Sequence, residues 1–347
     1  MDASMLDNPG AGAAARPVLT VAAGAATERL QLLQHHVVCT APVPWSLVSA
    51  AAAPPEHLIL AEAVDRADLE ALAADVPAGL TAAVGVGGDA SLETAKFIAW
   101  RCGLELLQIP TSVSSDAAFR TGCRYREGGR MQVGGPVTPV EVVVDPLVIR
   151  QAPASLNRAG VGDVLACHTA LYDWRLAVRV GAGERWDAEL AATGLRMLDQ
   201  LELALPDIAA VSIEGVAHLA RAHSELADLR DRGGGRVVEG SEHALASTIE
   251  WLAGRRFVHG RLLALCTLAI ALVQGNDPDR PARMIGSGLV EAAPAALGVD
   301  PELFRRAFLE LPGYCRQARL GTSVVDLVAL TPELAADVYG GVVEVTG

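Results

Sequence analysis

An α/β lobe built on a doubly wound, mostly parallel sheet, followed by an all-helical lobe, is the fold class that this sequence predicts. Three observations carry the prediction. Strand-like and helix-like runs alternate over the first 150 residues, a pattern that favours parallel strands with helices on both faces. An apolar run closes in the turn Gly85-Val86-Gly87-Gly88-Asp89 and passes straight into an amphipathic helix. After Pro153 the strand signals all but vanish and helical periodicity takes over. Such a handover places a cleft between two lobes, where ligands bind by default.

In order, residues 37–40 read as a strand, followed by a turn at Pro42 and Pro44 and a short helix. Residues 57–60 form the next strand and 66–74 a helix. The strand 80–84 feeds the glycine turn, and the helix 91–102 leaves it. Residues 104–109 make another strand, ending at Pro110. Residues 124–133 read as a hairpin closed at Gly128-Gly129, and 140–144 as one more strand. Helices then follow over 161–178, 188–203, 213–229, 244–253, 261–273 and 301–311.

At 347 residues the chain is long enough for two domains. Although 51% of residues are hydrophobic and mean hydropathy is +0.31, the longest apolar run near a helix, 262–273, is too short to span a bilayer. Residues 1–16 lack both the basic and the apolar region of a signal peptide, so the expectation is a frayed leader on a cytoplasmic protein. A formal charge of -13 argues against nucleic-acid or anionic-membrane partners, though not against a small anionic ligand in a local basic pocket. The six cysteines show no C-x-x-C pairing and read as reduced core thiols.

The glycine turn has the physics of a pyrophosphate site. Glycines let the backbone approach a phosphate, and the helix start beyond offers free N–H groups and a positive dipole end. A packing role explains the glycines equally well. A second cluster, Ile109-Pro110-Thr111-Ser112-Val113-Ser114-Ser115-Asp116, follows a strand at the expected carboxyl edge of the sheet. Its hydroxyls and carboxylate suit a cofactor amide or a substrate hydroxyl, or simply a helix-capping loop. In the helical half, Asp163, His243 and His259 each stand beside glycines and read as lying at helix starts. One carboxylate and two imidazoles leave zinc or ferrous iron an open position. The spacings, 80 and 16 residues, are not a compact motif, so a capping Asp163 with two hydrogen-bonded histidines accounts for the residues as well.

Taken together, the G-x-G-G…A-K turn, the P-T-x-x-S-x-D loop, the G-D segment and two separated histidines resemble the superfamily of glycerol dehydrogenases, iron-containing alcohol dehydrogenases and dehydroquinate synthases. The resemblance covers roughly residues 30–320. Gly162-Asp163…Thr169-Ala170-Leu171-Tyr172-Asp173-Trp174-Arg175-Leu176-Ala177 looks like the G-D…T-A-x-x-D-W-x-L-A of the sn-glycerol-1-phosphate dehydrogenase branch. Arg236…Gly240-Ser241-Glu242-His243 looks like that branch's R-P-A-S-G-S-E-H. The resemblance implies a dehydroquinate synthase-like fold: a leader (1–17), a nucleotide-binding α/β domain (18–155) and a helical metal-binding domain (156–347). It implies NAD or NADP as cofactor and Zn2+ or Fe2+ held by Asp163, His243 and His259. Asp116 would be the active-site aspartate, with Gly85, Gly87, Gly88, Asp89, Lys96, Thr111, Ser112 and Ser114 around the cofactor.

The expected activity is hydride transfer between NAD(P)(H) and a small polyol, polyol phosphate or the matching ketone. Arg158, Arg236 and Arg261 are the candidates to pair with a substrate phosphate. A cyclase or lyase that uses NAD transiently, or a diverged non-redox biosynthetic member, is the alternative. Three departures motivate the last: Asp89 where relatives carry a third glycine or similar small residue, Arg261 where they read H-G-E, and Ser247 where a second histidine often follows. The apolar helical lobe leads us to expect a homo-oligomer.

Overall fold

A computed structural model describes residues 16–61, 64–128, 130–182, 184–286 and 289–347, without the Arg130 side chain. The expected leader, apart from Arg16 and Pro17, and Gly129 of the expected hairpin turn lie outside the described residues.

The α/β half runs β1 (Val18–Val21), α1 (Ala25–Leu32), β2 (His36–Thr40), α2 (Pro42–Ser46), β3 (His57–Leu60) and α3 (Arg66–Ala74). It continues through β4 (Ala82–Gly87), α4 (Asp89–Cys102), β5 (Glu105–Pro110), the hairpin β6 (Cys123–Glu127) and β7 (Arg130–Gly134), β8 (Glu141–Val144) and α5 (Pro146–Ile149). Six strands make one parallel sheet in the order β1-β8-β5-β4-β2-β3. Because side chains alternate across a strand, Val37 and Cys39 pack with Ala95 and Ile98 of α4, whereas Val38 packs with Ala26 and Leu30 of α1. Both faces are therefore covered, as a parallel sheet requires.

The strand order places the ligand crevice. From β2 the chain proceeds outward to β3, and from β4 it proceeds the other way to β5. The turns after β2 and β4 therefore diverge at the carboxyl edge, which is where open α/β sheets bind ligands. Gly87 pairs with Pro110 in the register, so the glycine turn and the loop after β5 lie side by side.

The helical half comprises α6 (Ala154–Leu165), α7 (Cys167–Arg179), α8 (Ala188–Ala210), α9 (Ile213–Gly233) and α10 (Ser241–Ala253). Then come α11 (His259–Gln274), α12 (Asp279–Ile285), α13 (Pro294–Leu297), α14 (Pro301–Gln317), a 3-10 turn Val324–Asp326 and α15 (Pro332–Thr346). Helix α11 is apolar on every side and is buried from Leu262 through Ala271, with α6, α7, α10 and α15 packed around it. A helix of that composition belongs at the centre of its lobe. No helix among the described residues is long and apolar enough to cross a membrane.

Several expectations change in detail. The helix expected over 161–178 is two helices, α6 and α7, divided at Ala166. Because α6 begins at Ala154, Asp163 lies near its C-terminal end and neither starts nor caps a helix. Strand β4 sits two to three residues later than expected. Neither β1, α1 nor α15 was anticipated. All six cysteines are free, five buried and Cys102 half-buried.

Candidate metal and nucleotide site

The helix contact that builds the site is made by glycines. A Cβ on Gly162 of α6 would lie 1.9 Å from the carbonyl oxygen of Gly260, and one on Gly260 of α11 would lie 1.9 Å from that of Ala159. Only glycine permits this backbone-to-backbone approach. Each glycine is next to a ligating type of residue, Asp163 after Gly162 and His259 before Gly260. Close packing of α6 on α11 thus sets the carboxylate against the imidazole, with Asp163 Oδ1 3.6 Å from His259 Nε2. His243, in the first turn of α10, completes the group, and one ligating atom from each of the three residues lies within 4.8 Å of the others.

The surroundings hold these side chains in a metal-ready state. His243 Nδ1 lies 2.9 Å from the Glu242 carboxylate, and a proton shared there leaves the lone pair on Nε2. That Nε2 is buried and has no hydrogen-bond partner. An orphaned buried acceptor is costly unless a ligand occupies it. Burial alone would lower the His243 pKa, but the bond to Glu242 and the charges of Glu239, Glu242 and Asp163 raise it. Burial alone would raise that of Asp163, yet the His259 imidazole, with His223 and His243, holds it well below the usual carboxylate range. The donor set and its unspent nitrogen fit Zn2+ or Fe2+.

Further buried carboxylates anchor this wall. Glu242 also accepts from Thr169 Oγ1 at 2.7 Å and from the Gly240 N–H at 2.6 Å. Asp173 of α7 accepts from the Ser241 N–H at 2.8 Å, the Ser241 hydroxyl, Gln274 Nε2 at 3.0 Å and the Val324 N–H at 2.9 Å. It thereby joins α7, α10, α11 and the 3-10 turn behind His243.

Across the cleft lies the α/β wall. A cleft of about 230 Å³ is lined by Gly88, Asp89, Ser112, Ser114, Phe257 and His259, among others. Four of the eight expected cofactor residues are therefore on its surface. The others, Gly85, Gly87, Lys96 and Thr111, are not among the residues that line it. A Cβ on Gly85 would lie 2.4 Å from Gln108 Oε1, and one on Gly87, whose φ is +146°, would lie 2.6 Å from Ser91 Oγ. These two glycines serve sheet-to-helix packing. Thr111 is buried and its N–H donates to the Gly87 carbonyl at 3.0 Å. Lys96 is fully buried beside Glu93, 3.6 Å away, and burial lowers its pKa to about 8. Asp89, the first residue of α4, accepts a hydrogen bond from Ser115 at 2.8 Å, fastening the glycine turn to the loop after β5.

Asp116, expected as the active-site aspartate, is buried next to the triad. Its N–H donates to Asp163 Oδ2 at 2.8 Å, and its carboxylate is gripped by Arg120, 3.0 Å from Nε, and by Arg230. Burial would raise its pKa, but Arg230 and Arg120 lower it. The backbone N–H of Asp116 thus orients Asp163, while its ionised carboxylate is paired with both arginines. The three arginines proposed for a phosphate are likewise committed elsewhere. Arg158 donates to the Ala209 carbonyl at 2.9 Å, Arg236 pairs with Glu184 at 2.7 Å, and Arg261 pairs with Glu291. The positive charge expected from Arg261 beside the histidines is thus neutralised.

Sequence reasoning missed the charged residues next to the triad. Glu93, Arg120, Arg230 and Glu239 were not singled out. Two signals were available: Glu93 and Lys96 stand three apart on the buried face of α4, and Glu239 occupies the Ser position of R-P-A-S-G-S-E-H.

A family model described as "Iron-containing alcohol dehydrogenase" matches residues 31–153. A curated glycerol-1-phosphate dehydrogenase (NAD(P)+) from Sulfolobus acidocaldarius is 33% identical over 245 residues, covering 65% of this chain and 69% of the relative. Its namesake from Hyperthermus butylicus is 29% identical over 231 residues, covering 65% and 64%. The match thus spans under two thirds of the length of that relative and of the one from Methanothermobacter thermautotrophicus, 65% of which is covered. Among solved structures, glycerol dehydrogenase from Schizosaccharomyces pombe superposes with a TM-score of 0.74 at 20% identity, covering 95% of this chain and 90% of that one. A probable glycerol dehydrogenase from Sinorhizobium meliloti gives 0.71 at 21% identity, covering 95% and 97%. At such identities these two show the fold alone.

Proposed function

The chain belongs to the iron-containing alcohol dehydrogenase family, among relatives named glycerol-1-phosphate dehydrogenase, and on that premise we propose that it is a metal- and NAD(P)-dependent oxidoreductase acting on a small polyol, its phosphate or the matching ketone. The observation that carries this reading is the convergence of Asp163, His243 and His259 within 4.8 Å, with His243 Nε2 buried and unpartnered and His259 lining a glycine- and serine-lined cleft.

In this reading Asp163, His243 and His259 hold Zn2+ or Fe2+. Gly88, Ser112 and Ser114 line the place of the nicotinamide nucleotide. When bound, the ion supplies Lewis-acid polarisation of an alcohol or ketone oxygen, and the nicotinamide gives or takes the hydride. The chain's own residues do the positioning. Glu242 fixes the His243 ring, the Asp116 N–H fixes the Asp163 carboxylate, and Asp173 fixes the start of α10. Phe257 adds an apolar ring to the lining of the cleft. Cytoplasmic residence and self-association belong to the same proposal, and six unpaired cysteines accord with a reducing compartment.

One observation favours a second reading, a member of the fold that has left redox chemistry: the Asp89–Ser115 bond sets a carboxylate where a pyrophosphate would lie. The same experiment separates the two. Bound metal is determined by elemental analysis, and NADH and NADPH are then titrated by fluorescence with and without dihydroxyacetone phosphate. The dehydrogenase reading expects about one equivalent of metal, micromolar nicotinamide binding and ketone-dependent oxidation. Metal without nicotinamide binding would transfer the protein to the second reading. Nicotinamide binding with no net oxidation, alongside conversion of another substrate, would point to a cyclase or lyase.

A further inference from the structure

Helix α9 reaches the triad at second hand. His223 and Arg230 stand seven residues apart on it, two turns, and so share one side of the helix. The His223 Nε2–H donates to the Gly160 carbonyl of α6 at 3.2 Å. Arg230 donates from Nη1 to the Asp116 carboxylate, and its Nη2 lies 3.1 Å from Glu239 Oε1. Both of those carboxylates lead to a ligand. The Asp116 N–H holds Asp163 Oδ2 at 2.8 Å, and Glu239 stands four residues before His243, on the segment that runs into α10.

The two arginines on Asp116 are not equivalent. Arg120 belongs to the same loop, four residues on, and its other partner, Glu93 at 2.8 Å, lies on α4 of the same lobe. It fixes the loop only against the α/β half. Arg230 comes from the helical half, which carries all three ligands. Its bond to Asp116 closes a circuit: α6 to α9 at Gly160 and His223, α9 to the loop at Arg230, and the loop back to α6 at Asp163. Buried ion pairs add little net stability, because desolvation offsets their attraction. A pair sealed at 4% and 17% side-chain exposure therefore points to the arrangement it enforces.

We propose that Arg230 is a positioning residue for the metal centre: one guanidinium, forked between Asp116 and Glu239, sets Asp163 and His243 at their working separation. The inference rests on the reading of Asp163, His243 and His259 as a metal site. Arginine suits the task because its planar fork presents donors in fixed directions, which a lysine ammonium does not. Arg230 touches neither ion nor substrate in this role and acts only through its two carboxylates.

The test uses the full-length protein reloaded with Co2+, whose visible absorption reports coordination geometry. Affinity is read by chelator competition and folding by circular dichroism. Arg230→Met is expected to lower Co2+ affinity roughly 10–100-fold, the range for lost support of a metal ligand, and to alter the visible bands. Arg230→Lys keeps the charge without the fork and should recover only part of the affinity. Asp116→Asn combined with Arg230→Met leaves neither charge of the pair buried alone, which protects the fold. This double variant is expected to bind Co2+ as weakly as Arg230→Met. Arg232→Met, at a half-exposed position on the same helix, should match wild type in both readouts. A folded double variant with wild-type affinity and bands would overturn the proposal, since the pair would then serve stability alone. Full recovery in Arg230→Lys would overturn it too, reducing Arg230 to a point charge. A wild type that takes up no Co2+ would contradict the metal reading and the proposal with it, whereas a wild type that loads and variants that match it would contradict the proposal alone.

Discussion

The two walls of the cleft are built on different principles. The helical wall fixes its ligands with buried hydrogen bonds and glycine-mediated helix contact, so His243, His259 and Asp163 meet with little freedom. The α/β wall is a turn and a loop held across by one side-chain bond, Ser115 to Asp89. Chemistry that polarises an oxygen needs ligand atoms placed within fractions of an ångström, whereas a nucleotide spreads its binding over many weaker contacts. The contrast teaches that a precise wall is built by helix packing and a tolerant one by a loop and a turn.

The largest effect expected from breaking that contrast comes from the ligands themselves. His243→Ala should lower ketone reduction by roughly three orders of magnitude, corresponding to several kcal/mol of lost charge stabilisation. Steady-state kinetics with unchanged NADH binding would check this, and activity within tenfold of wild type would remove the metal from the mechanism. One layer back, Glu242→Gln keeps the shape but weakens the hold on the His243 ring. Metal affinity should fall by roughly 10–100-fold, read by chelator competition.

On the opposite wall Asp89→Gly should strengthen, not weaken, ligand binding. Removing a carboxylate beside a pyrophosphate is expected to tighten NADH by up to about tenfold, near 1.4 kcal/mol, with a smaller gain at high salt. A fluorescence titration that shows weaker binding would mean that the Ser115 bond organises the site and does not obstruct it.

The smallest effect concerns pH. Asp173 has its pKa raised from 3.8 to about 6, by burial first and by Glu242 second. Between those values the folded state keeps a proton that the unfolded chain has released, so this residue makes stability decline as pH rises from about 4 to about 6. Asp173→Asn should be less stable throughout, having lost charge-assisted acceptors for Ser241 and Val324. It should also lack that decline, and thermal melts across the window would show whether the slope goes with the carboxylate.

Legibility followed the same division. Strand β4, its turn and helix α4 were readable because an apolar run, glycines and an amphipathic helix are local signals. His243 and His259 were correctly placed in the first turns of their helices. Asp163 was not, because Gly160 and Gly162 read as the opening of a helix. In the fold they lie inside α6, where Cβ atoms would strike the Val113 and Gly260 carbonyls. Those constraints come from the loop after β5 and from helix α11, both distant in sequence, and leave no local trace. The short edge strand β1 and the terminal helix α15 were missed because neither carries a long periodic pattern. Asp116 was recognised by motif, but its pairing with Arg120 and Arg230 depends on α9 docking against the α/β lobe.

The account stands or falls on the triad as a metal site. Its most direct test is metal content by elemental analysis of wild type and His243→Ala, purified side by side and matched by circular dichroism. The structure predicts about one equivalent of zinc or iron in the wild type and almost none in the variant. Equal content in both, or none in the wild type after growth with added metal, would contradict it.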